Sequence, residues 1–134
     1  MSGHSYAQRT KVTVSKSRAE IERLVKRHGS TSFGIMEMEG RVMVAFGMEG
    51  RNVRFVCDLP DSEQETRARY RQLLLTIRGK LESWKEGIET FDDAFMSQIV
   101  TPAGGTVGDQ VRTNIRLQYE RNDGAIPLLE GPSL

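Results

Sequence analysis

Cysteine is almost missing from this chain: Cys57 is the single one in 134 residues. No disulfide can form within the chain, and a reducing compartment is the expected setting. Histidine is nearly as scarce, with only His4 and His28, so a zinc site built from Cys and His ligands is excluded. Long apolar runs are absent too. Stretches such as Leu73-Leu74-Leu75 span a few residues, whereas a membrane-crossing helix needs about 20. The segment from Met1 to Lys11 has no apolar core of the kind a signal peptide carries. The expectation is a cytoplasmic protein with no membrane partner and neither metal nor cofactor.

What is present points to one modest globular domain, residues 1–134. Hydrophobic residues make up 37% and charged residues 28%, too apolar and too patterned for a disordered chain. Residues 1–10 read as a flexible N-terminus and 123–134 as an extended tail whose Ile126, Leu128 and Leu129 are expected to dock on the core. The net charge of +1 is unevenly spread. Residues 1–54 hold ten Lys/Arg against five Asp/Glu, and residues 55–134 hold nine against thirteen, so the N-terminal half is the basic one.

Along the chain, Val12 and Val14 alternate with polar neighbours and predict a strand over Lys11–Ser15. Ser17 followed by Glu20 reads as a capping box. Behind it Ile21, Leu24, Val25 and His28 mark one helical face, closed by Gly29. The next thirty residues predict a three-stranded meander. Met38-Glu39-Gly40-Arg41 returns as Met48-Glu49-Gly50-Arg51, and each glycine suits the positive φ of a tight hairpin. One face takes Val42, Val44, Phe46 and Met48 with Val53, Phe55, Cys57 and Leu59. The other takes Met36, Met38, Met43, Ala45 and Val56, a mixed surface suited to cover by a later helix or by a partner.

Pro60 ends the third strand. Ser62 and Glu65 then open a long helix with the stripe Tyr70, Leu73, Leu74, Ile77, Leu81, Trp84 and Ile88, ending near Gly87. Thr90 caps a short helix bearing Phe91, Phe95 and Ile99. Thr106 caps a last one in which Val107, Val111 and Ile115 step by four. The predicted class is α+β, a two-layer sandwich of a three- to four-stranded antiparallel meander with helices, in the order β-α-β-β-β-α-α-α.

Candidates for chemistry are few. Cys57 sits in an alternating apolar run and reads as a core residue rather than a nucleophile. His28 falls in the last turn of a helix, where the dipole favours a cation. Asp92 with Asp93, and Glu63 with Glu65, are paired acids able in principle to hold Mg²⁺, but both pairs stand at helix starts where acids are expected. Gly104-Gly105-Thr106-Val107-Gly108 lacks the phosphate-loop lysine and reads as a turn with a cap. No catalytic set emerges. The arginines remain. Arg18, Arg23, Lys26 and Arg27 crowd the first helix, and Arg51 and Arg54 lie on the sheet. Arginine pairs phosphate bidentately, so these six are the candidate nucleic-acid-binding residues. The competing account is a solvated surface balanced by Glu20, Glu22, Glu63 and Glu65.

Several stretches resemble a family of small bacteriophage and prophage proteins of no settled activity. They are Val14 to Arg23, Gly40-Arg41-Val42, Arg51 to Phe55, Lys80-Leu81-Glu82, Gly87 to Phe91 with Phe95, and Thr106-Val107-Gly108. The chain departs from that pattern in being short between Pro60 and Tyr70. The resemblance implies a phage-type origin in a bacterial cytoplasm and assigns no functional residue. Two functions are therefore expected, neither enzymatic. One is a nucleic-acid-associated accessory protein of phage replication or recombination, binding phosphates through the six basic residues. The other is a protein that binds and inhibits a host enzyme or defence system through the methionine-rich face. A homodimer fits either. A nuclease using Asp92 and Asp93 is the remaining expectation.

Overall fold

Two tight hairpins set the frame. The computed structural model describes residues 6–129, with side chains from Thr13 onward. Strands β1 (Ser32–Met38), β2 (Arg41–Met48) and β3 (Arg51–Asp58) form a three-stranded antiparallel sheet in that order. In the first turn Glu39 and Gly40 have φ of 50° and 75°; in the second Glu49 and Gly50 have 53° and 72°. Two successive left-handed residues make the hairpin type whose twist matches that of its strands. Met38 consequently stands opposite Arg41 and Met48 opposite Arg51.

The segment Lys11–Ser15 is helical, which corrects the expected first strand. It belongs to α1, which runs unbroken over Tyr6–Arg27. The β-branched alternation there is overridden by a longer period: Val14, Ser17, Ile21, Leu24, Val25 and His28 recur at three or four residues, and Val14 packs against the core. Ser17 is buried within this helix rather than capping it. The element order is therefore α-β-β-β-α-α-α.

The three later helices start where their caps stand. Ser62 accepts from the Glu65 amide at the start of α2 (Glu63–Lys85). Thr90 does the same for Asp93 at α3 (Phe91–Phe95), which runs on into a 3₁₀ turn at Met96–Gln98. Thr106 and Asp109 form a reciprocal capping box at α4 (Val107–Arg121), satisfying two of the amides a helix start leaves without partners. α2 ends at Lys85, with Gly87 at φ 76°. Ile88, expected in its stripe, lies outside the helix and is exposed.

One face of the sheet packs on α1 and α2. Ile21, Leu24 and Val25 from α1 meet Val42, Val44, Phe46, Val53 and Phe55 from the sheet and Tyr70, Leu74, Ile77 and Leu81 from α2. α3 closes one end. Phe95 stands edge-on to both Phe46 and Phe55, with ring centroids 6.0 and 6.2 Å apart. Such pairs contribute roughly 0.5–1.5 kcal/mol beyond their buried area. Beyond the 3₁₀ turn, Ile99 makes an antiparallel bridge to Val53, and the Val100 amide donates to the Asn52 carbonyl at 2.8 Å. That bridge is the only fragment of a fourth strand among the described residues. No described helix is long and apolar enough to cross a membrane.

Candidate functional site

The six basic residues expected to act together are spread over both sides of the sandwich. Arg23, Lys26 and Arg27 are exposed on the outer side of α1, away from the sheet. Lys26 is engaged with Glu22 at 2.6 Å; neither Arg23 nor Arg27 has an ion pair among the described residues. Arg18 sits partly buried nearer the core, close enough to Tyr70 for its charge to act on the phenol. Arg51 is committed elsewhere. Its Nε and Nη2 donate to the two carboxylate oxygens of Asp92, each at 2.7 Å, tying the start of β3 to α3. Arg54 lies on the opposite sheet face from the core, in register with Ala45 and Gly34.

The acids and the thiol also have structural places. Asp92 is held below the usual carboxylate range by its hydrogen bond and charge pairing with Arg51. Burial pushes the Cys57 thiol up, which disfavours the reactive thiolate. The Tyr70 phenol is likewise raised, first by burial and then by its hydrogen bond to Glu37. His28 Nδ1 donates to the Leu24 carbonyl at 2.9 Å within the last turn of α1. Among the described residues no three His, Cys, Asp or Glu side chains come together as a metal cluster.

What the structure does assemble is a surface on the uncovered sheet face. Register brings Met36, Met43 and Val56 side by side across the three strands, with Met38, Arg41 and Asp58 in the adjacent row. Met36 and Met38 are 52% and 57% exposed, so among the described residues nothing covers the β1 side of this face. A cleft of about 490 Å³ adjoins it, floored by Met43 and Val56 and walled by the 3₁₀ turn and the first turns of α4. Arg41, Arg54 and Arg112 line it with Asp58 and Asp109. Arg112 pairs with Asp109 at 3.1 Å and Arg41 with Asp58 at 3.5 Å, both in the open. Among the described residues Arg54 is the cation of this lining without an ion pair. Gln98, also in this wall, has a buried Oε1 without a hydrogen-bond partner.

α4 supplies the second half of the surface. Its base is tightly seated: Gly108 is buried against Ser97, where a Cβ would come within 2.8 Å of the Ser97 carbonyl oxygen. Val111, Ile115 and Tyr119 lie within about 60° of Gly108 around the helix at 100° per residue, on the same side as the seat. Past the first turn this side is open among the described residues, and Ile115 and Tyr119 are 56% and 64% exposed. The tail does not dock as expected either, for Ile126, Leu128 and Leu129 are exposed. Residue types alone signalled the methionine face, but the cleft escaped sequence reading because it needs the placement of α4 beside β3.

Comparison with models of known families, with curated proteins and with solved structures finds no match for this chain.

Proposed function

We propose that this protein is a non-catalytic, protein-binding module whose contact surface is the methionine-bearing sheet face with the adjoining α4. The observation that carries this reading is the exposure of Met36, Met38 and Val56 beside an α4 whose apolar stripe is open. An apolar patch of this kind marks a contact site in a soluble domain, and an amphipathic helix needs a surface for its apolar stripe. Methionine suits such a contact because its flexible thioether adapts to a partner's shape. The resemblance to phage and prophage proteins makes a host enzyme or defence protein one class of partner.

Site-specific photo-crosslinking tests the reading. A benzoylphenylalanine at position 43 should give a protein adduct of discrete mass in cells, while one at position 23, on the far side of the molecule, should give none. No adduct at position 43, or equal adducts at both, would count against it.

Nucleic-acid binding is the second reading, supported by Arg23 and Arg27, which stand exposed on α1 and, among the described residues, without an ion pair. Fluorescence anisotropy with labelled single- and double-stranded DNA at low and moderate salt tests it. Binding that weakens with salt, as counterion release requires, and that falls with Arg23→Ala and Arg27→Ala, would support it. No binding at low salt would remove it.

A further inference from the structure

We infer that a second copy of this chain occupies the cleft, each copy laying α4 and the segment after it across the other's methionine face. The inference rests on the protein-binding reading and names the partner. From Asp109 to Leu129 every residue except Leu117 is exposed, so among the described residues this arm is the stretch that the fold leaves open to solvent. It cannot close on its own sheet. The capping box at Thr106, the Gly108 seat on Ser97 and the bond from the Val107 amide to the Ile99 carbonyl at 2.9 Å fix the direction of the first turn. A stiff helix so anchored cannot bring its later turns back without breaking that seat.

The arm and the face match in size. Fifteen residues of helix extend about 22 Å, and strands of eight residues extend about 26 Å. A helix roughly 10 Å across covers three strands spaced about 4.8 Å apart. The charges match as well. Within the arm Arg112 pairs with Asp109 and Arg116 with Glu120. Among the described residues Asp123, just past the helix, is a carboxylate without an ion pair, as Arg54 in the cleft is a cation without one. Arg121 falls on the side of the helix opposite Gly108 and stays in water. One Asp123–Arg54 contact per seam therefore completes the pairing. Exchange of arms about a twofold axis repeats the seam, giving a closed pair rather than a filament.

Sedimentation velocity tests the inference at about 50 μM, well above a micromolar dissociation constant. The intact chain should sediment at twice the monomer mass. Met43→Glu alters only the face and Ile115→Glu only the arm; each should give monomers with an unchanged circular dichroism spectrum. Mixed together the two variants should recover a dimer, because one seam then joins an intact arm to an intact face. A monomeric intact chain, unaffected variants, or a mixture that stays monomeric would overturn the inference. If the intact chain is monomeric yet position 43 crosslinks to a different protein, self-association falls and the protein-binding reading stands. If it is monomeric and no adduct forms, both fall.

Discussion

At the scale of the residue, two side-chain positions decide how the C-terminal third attaches to the rest. A methyl group at Gly108 would meet the Ser97 backbone oxygen at 2.8 Å, an atom that cannot rotate away. Gly108→Ala should therefore lift the base of α4 and cost about 1–3 kcal/mol, the usual penalty of overpacking. Urea unfolding would give the loss, and faster amide exchange confined to α4 would locate it. The second position is Asp92. Its folded pKa is depressed by Arg51, so the carboxylate binds its proton less readily folded than unfolded. The stability this supplies is present above the unfolded value, about pH 4, and is lost as pH falls through the lower folded value. Asp92→Asn should be somewhat less stable at pH 7 and should lose less stability than the unmodified chain between pH 4 and pH 2. Parallel acid-unfolding curves for the two proteins would contradict this.

At the scale of the element, helix starts and hairpins were legible, because each is written in a few adjacent residues. Ser62, Thr90 and Thr106 cap as their spacing to Glu65, Asp93 and Asp109 predicts. The Glu-Gly echo marks both turns. The start of α1 is hidden in the sequence for a physical reason: Val12 and Val14 carry a strand-like alternation, and Ser17 with Glu20 imitates a cap. Only packing against α2, which is distant in sequence, reveals that the 3.6-residue period extends back through Val14. The Arg51–Asp92 pair, 41 residues apart, was equally out of reach. The turns themselves allow an improvement. Glu39 and Glu49 hold left-handed backbone, which costs a residue other than glycine roughly 1–2 kcal/mol and asparagine less. Glu39→Asn combined with Glu49→Asn should raise the unfolding free energy by about 1 kcal/mol in all, seen as a higher urea midpoint at an unchanged denaturant slope. A lowered midpoint would mean that the glutamates make contacts the hairpin depends on.

At the scale of the whole molecule, the sandwich separates two surfaces that the sequence presents only as a mixture of arginines and methionines. The outer side of α1, with Arg23 and Arg27, lies beyond the helix layer. Met36, Met43 and Val56 lie on the far side of the sheet. The buried core between them leaves no path for direct contact, so changes on the two sides should act independently, as sites without shared partners do. Arg23→Ala with Arg27→Ala should weaken any DNA affinity and flatten its salt dependence, since each lost phosphate contact removes about one counterion from the slope. The same pair should leave the sedimentation coefficient unchanged. Met43→Glu should do the reverse, altering association while leaving the salt slope intact. If the arginine pair also dissolves the dimer, or Met43→Glu also abolishes DNA binding, the two surfaces are coupled. A twofold assembly that gathers two copies of the α1 surface onto one nucleic acid would produce that coupling. Measuring both properties on both variants distinguishes a module with two separate faces from one whose assembly builds its polyanion site.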